Sequence, residues 1–173
     1  MKWLRFILLL LFVAVLQSGT VMNIFALTAR HIKPNIFLLL LVYFAINCDS
    51  FDAIITSFAV GFAADLAGAV MGPHIISYGL VGVAVAYVRN IILLKKTNQQ
   101  AAAIFAAGIF VELIAVLLTG LKASGLAKMD GMEIFAVAAY SAILWFMLKL
   151  PITAAGKWTG AGIFHFGARQ MGR

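Results

Sequence analysis

Charge is scarce in this chain. Only 11% of its 173 residues are Asp, Glu, Lys or Arg, and only six of those are acidic. A water-soluble domain carries about a quarter charged residues, so the polar surface that would dissolve this chain is missing. Cysteine occurs once, at Cys48, which excludes a disulfide framework within the chain. With no cluster of metal ligands around it, Cys48 reads as a small hydrophobe at a helix end. Catalytic signatures are missing too. The three histidines, His31, His74 and His165, are far apart. No serine lies in a Gly-x-Ser-x-Gly elbow, and there is no phosphate-binding loop or dinucleotide fingerprint. The sequence therefore names no catalytic residue, metal ligand or cofactor, and familiar hydrolase, ATPase and redox chemistry is disfavoured.

What is present is apolar. Hydrophobic residues make up 64% of the chain, and the mean hydropathy is +1.06. The length suits a single domain. The expectation is an all-α fold, a polytopic integral membrane bundle of six transmembrane helices. The apolar segments run over about 6–28, 34–47, 53–70, 75–94, 101–121 and 134–150. A span needs roughly 20 residues. The second segment is short, and it is expected to borrow Pro34 and Asn35 as its first turn. The first segment resembles a signal peptide over Lys2–Gly19, but apolar character resumes from Val21, so a retained span is the reading preferred.

The net charge of +7 does not mark a nucleic-acid binder. Basic residues sit at the ends of apolar runs, as membrane topology and anionic headgroups require. With the N-terminus cytoplasmic, nine lysines and arginines fall inside and four outside. The inside group includes Lys2, Arg5, Lys95, Lys96 and Lys157. Both termini are then cytoplasmic. The organisation expected is a six-span domain over 1–151 and a basic, aromatic tail over 152–173 at the interface or in the cytoplasm.

Two carboxylates lie inside predicted spans, Asp65 and Glu112. Burying an acid in lipid costs several kcal/mol, so each is either a functional group or a polar clasp within the bundle. Small residues surround the first of them. Gly61, Ala64, Gly68 and Gly72 recur at intervals of three to four, and Gly79 and Gly82 follow on the next span. Small faces let helices approach closely in lipid. The reading is a packing seam of spans three and four, built on Gly61, Gly68, Gly72, Gly79 and Gly82 and pinned by Asp65, with a tight turn at Gly72-Pro73.

Residues 33–88 resemble the bacterial rod shape-determining protein MreD family. The resemblance rests on an ordered set: the helix-start motif Lys33-Pro34-Asn35, Tyr43 in a Leu-rich run, Gly61-x-x-x-Asp65-Leu66, Gly68, Gly72, His74 and Leu80-Val81-Gly82. Glu112 stands where the family tends to carry an acid. The resemblance implies a non-enzymatic component of the cell-elongation machinery in the bacterial inner membrane. Its implied partners are the single-span protein MreC and, through it, MreB filaments, the RodA glycosyltransferase and a penicillin-binding transpeptidase. It also implies a fold similar to the substrate-binding components of energy-coupling-factor transporters. A vitamin-binding component of such a transporter is the alternative reading. Ala59-x-x-x-Ala63 would serve a coupling subunit, but the outer loops offer few polar groups for a ligand. The acid in the third span and the Lys-Pro start favour the shape protein.

Overall fold

The computed structural model describes residues 1–18, 34–68, 71–89, 96–122 and 131–161, and their regular structure is helical. The helices are α1 (Trp3–Ser18), α2 (Ile36–Asn47), α3 (Ser50–Ala67), α4 (Pro73–Val88), α5 (Thr97–Lys122) and α6 (Gly131–Thr159). Of these, α3, α5 and α6 are long and apolar enough to cross a membrane. The other three are apolar but shorter, with 16, 12 and 16 residues.

The shortest helix is the axis of the bundle. All nine residues from Phe37 to Ala45 are buried, and α2 packs against every other described helix. A helix that is apolar all round belongs inside a bundle. At 1.5 Å per residue α2 is about 18 Å long, well short of a hydrocarbon core of about 30 Å. Its terminal N–H and C=O groups therefore need partners from the protein.

Both ends have them. Pro34 and Asn35 are not the first turn, as the sequence led one to expect. The helix starts at Ile36, and Asn35 stands outside it in an extended conformation, with its side chain accepting the Leu38 N–H at 3.2 Å. The amide makes a good N-cap because it replaces a missing intrahelical acceptor. Lys33 lies outside the described residues. At the other end, the Arg89 guanidinium donates to the carbonyls of Ala45 at 2.9 Å, Ile46 at 3.0 Å and Cys48. A cation on the last carbonyls also suits the negative end of the helix dipole.

Cys48, the C-cap of α2, is 4% exposed. Burial foremost, and then the negative charge of Asp52, push its thiol up from 9.0 to about 12. The thiolate is the reactive form. Three pH units mean that maleimide labelling of the folded protein at pH 8 is expected to run about a thousand-fold slower than in sodium dodecyl sulfate. The sign is that of a group protonated more firmly when folded. The stability it contributes is complete below pH 9 and drains away as pH climbs from 9 towards 12. Equal labelling rates in the folded and denatured protein would contradict the burial.

The last helix corrects the boundary drawn at 151. α6 runs through Pro151 to Thr159, with Ile152, Gly156 and Thr159 buried. Proline removes one backbone donor, which neighbouring helices make tolerable inside a bundle. Gly156 lets α6 close on the ring of Tyr43 in α2. The start of α1 meets the end of α6: the Lys2 N–H donates to Thr159 O at 2.8 Å. Arg5 donates to Trp158 O at 3.1 Å and lies 5.5 Å above the Trp158 ring. The rest of the tail, from 162, and the continuation of the first apolar segment beyond Ser18 fall outside the described residues.

Candidate functional site

Asp65 is 1% exposed and sits in the last turn of α3. Its partners are the opening residues of α4. Oδ2 accepts the N–H of Gly72 at 2.9 Å and of Ile75 at 3.0 Å. Oδ1 accepts the N–H of His74 at 3.0 Å and lies 2.9 Å from His74 Nδ1. Gly72, the N-cap, supplies no side chain, and Pro73 has no N–H. The three free N–H groups at this helix start therefore all go to one carboxylate carried by the neighbouring helix. A negative group also suits the positive end of α4. Asp65 is thus a cap delivered across a helix hairpin, and its acceptor capacity is spent on three backbone N–H groups and the His74 ring.

The glycines divide into two kinds. A Cβ on Gly61 would stand 2.6 Å from the His74 carbonyl oxygen and 2.8 Å from Ile75 Cα, so α3 and α4 touch backbone to backbone there. Gly79 makes room for the Phe58 ring of α3, and Gly82 for Ser57 of α3. These three form the seam. Gly68 and Gly72 do not. α3 ends at Ala67, so Gly68 is its exposed C-cap. A Cβ on Gly72 would meet open space, but its φ of +115° is one that few side chains accept. The spacing of three to four carried the seam past the end of α3; Gly68 caps that end, and Gly72 stands before α4, where the tight turn with Pro73 was expected.

A second polar node lies around Asn35. Its N–H donates to Ser141 Oγ of α6 at 3.0 Å, and its side-chain amide donates to Tyr78 OH of α4 at 2.6 Å. Gln17 of α1 completes it, donating to Pro34 O at 3.1 Å and accepting the Ile36 N–H at 3.3 Å. The half-buried Glu112 of α5 lies near the Asn35 side chain and His74. Asn35, Tyr78, His74, Asp65 and Glu112 thus come together at one end of the bundle, and the hydrogen bonds around Asn35 join α1, α2, α4 and α6. Sequence reasoning named Asn35 only as part of a helix start and missed Gln17, Tyr78 and Ser141. An asparagine directly before an apolar run is a capping signal; the other three lie in runs with no local mark.

On the outside of the bundle, α4 and α5 leave an apolar groove of about 630 Å3. Leu80, Ala84, Val88, Ala103, Ala106 and Phe110 line it. Alanines on both walls keep it wide. None of the sequence-predicted site residues lines it.

No curated protein and no solved structure matches the chain. The model of one family, rod shape-determining protein MreD, matches residues 1–154. That stretch takes in both polar nodes, the glycine seam and the α4–α5 groove, and with so much of its length matched the chain belongs to the MreD family of rod shape-determining membrane proteins.

Proposed function

We propose that this protein is a non-enzymatic scaffold of the rod-shape machinery, a six-span protein of the bacterial inner membrane with both termini cytoplasmic. It binds the membrane span of an MreC-like partner and so helps couple MreB filaments to peptidoglycan synthesis by RodA and its transpeptidase. The observation that carries this reading is the α4–α5 groove: it is apolar and lateral, and its floor is alanine. Helices associate in lipid by close packing of small residues, and Ala84 and Ala106, both exposed, suit a visiting helix. The commitment of Asp65 to capping supports a scaffold over a reactive centre. Short α1, α2 and α4 are compatible with six crossings because their ends find partners within the protein. The family match favours this reading over the vitamin-transporter alternative.

The test fills the groove. Ala84→Leu with Ala106→Leu puts bulk where the partner helix would lie, leaving the core untouched. Overpacking costs about 1–3 kcal/mol, and 1.4 kcal/mol is tenfold in affinity. Co-purification of MreC is expected to fall about ten-fold or more, at unchanged protein level and helical content. Recovery of MreC at the wild-type level would sink the proposal for this groove.

A further inference from the structure

α6 carries Trp145, Lys149, Thr153 and Lys157 at a strict interval of four, so all four lie on one stripe. Facing them are Tyr43 and Asn47 of α2 and Gln100 of α5, and together they enclose a polar cavity of about 190 Å3. It lies at the end of the bundle where Arg5 stacks on Trp158. Such pairs of aromatic and cation mark the headgroup layer.

The charge of the lining is one-sided. None of the seven lining residues is acidic. Trp145 is 2% exposed, and its indole nitrogen is buried with no hydrogen-bond acceptor among the described residues. Indole N–H is only a donor, and a buried donor without an acceptor is costly. Lys149 gives one of its three N–H groups to Thr97 Oγ1 at 2.5 Å, which holds the ammonium at the cavity with two to spare. Lys157 is exposed at the mouth. The Thr153 hydroxyl donates to Lys149 O at 2.6 Å, and the Asn47 amide to Tyr43 O at 2.8 Å. Beside the neutral Tyr43 hydroxyl and Gln100 amide, the lining offers two ammonium groups and an indole N–H, and among the described residues no carboxylate lines it. A phosphate oxygen cluster supplies what is missing. The volume is that of about six waters, well below the roughly 300–1,000 Å3 of pockets for larger ligands. It suits a headgroup phosphate and not the body of a cofactor.

We propose that this cavity binds the phosphate of an anionic lipid headgroup. The site is independent of the partner groove: it lies between α2, α5 and α6, whereas the groove lies between α4 and α5. It also differs from the diffuse attraction of surface lysines, because a buried donor and a tethered lysine give it fixed geometry.

The experiment is native mass spectrometry of the full chain, released from detergent with equal phosphatidylglycerol and phosphatidylcholine. Retention of phosphatidylglycerol over phosphatidylcholine is expected. Lys157→Gln should lower that retention about five-fold, and Lys149→Gln with Lys157→Gln about twenty-fold. Trp145→Phe, which keeps an aromatic ring and removes the N–H, should lower it as well. Lys96→Gln changes an exposed lysine outside the cavity and should leave it unchanged. Because Lys157 is exposed, its variant keeps the test alive if the double variant fails to fold. Competition by millimolar inorganic phosphate would assign the same site to a free anion; its failure to compete assigns the lipid. Equal retention of the two lipids, or equal losses in Lys157→Gln and Lys96→Gln, would overturn the site.

Discussion

Asp65→Ala is expected to lower the thermal denaturation midpoint of the detergent-solubilised protein by about 4–20 °C. The carboxylate serves three backbone N–H groups and the His74 ring. Each buried donor left unpaired costs about 1–3 kcal/mol. The side chain of His74 is 30% exposed and Gly72 is half-buried, so water can serve part of this helix start. The net loss is therefore put at about 2–5 kcal/mol. For a chain of this size each kcal/mol shifts the midpoint by about 2–4 °C. Asp65→Asn keeps one accepting oxygen and turns the other position into a donor that faces backbone N–H groups, so it should lose roughly half as much. His74→Ala leaves the three backbone bonds in place and should cost about 1 kcal/mol. This ordering separates a cap from a docking point. A cap predicts that shape defects in Asp65 variants follow the amount of folded protein. Normal stability and level in Asp65→Ala, with lost rod shape, would return Asp65 to the role of a partner contact.

The same residue shows how much the sequence discloses. An acid in a glycine-rich apolar run announced a buried polar contact, and the ordered set Gly61, Asp65, Gly72, His74 placed the relevant groups within one hairpin. What it withheld was direction. Periodicity tells which residues share a helix face, and it does so only while the helix lasts. Gly68 and Gly72 kept the interval beyond Ala67, where the helix had ended, so the seam was drawn too long, although Gly72 was also read as a turn residue with Pro73. Asn35 was legible as a helix start, but its part in joining α2 to α4 and α6 depends on Tyr78 and Ser141, 43 and 106 residues away. The end of α6 misled for a different reason. Proline usually stops a helix through its missing N–H, yet packing of Ile152 and Gly156 against the bundle carries the helix on. Local chemistry was readable; tertiary compensation was not.

Gly61→Ala is the smallest change expected to break the same joint from the other side. The new methyl would meet the His74 carbonyl oxygen at 2.6 Å and Ile75 Cα at 2.8 Å. Both are backbone atoms that no rotamer change can move, so α3 and α4 must separate. Overpacking of this kind costs about 1–3 kcal/mol. Here the separation acts on more than van der Waals contact, because His74 and Ile75 also donate their N–H groups to Asp65. Moving α4 outwards lengthens those bonds, so Gly61→Ala should fall at the upper end of that range. Gly72→Ala is the instructive contrast: its methyl meets nothing, and its cost, about 1–2 kcal/mol, comes from holding alanine at φ +115°. The coupling gives a sharper check than either midpoint alone. Once Asp65 is alanine, separating the helices has no carboxylate bonds left to stretch. The double variant Gly61→Ala with Asp65→Ala should therefore be more stable than the two single losses added, by about 1 kcal/mol. Strict additivity would mean that the methyl is absorbed without moving α4, and that the close approach at Gly61 and the cap from Asp65 are separate features of the hairpin.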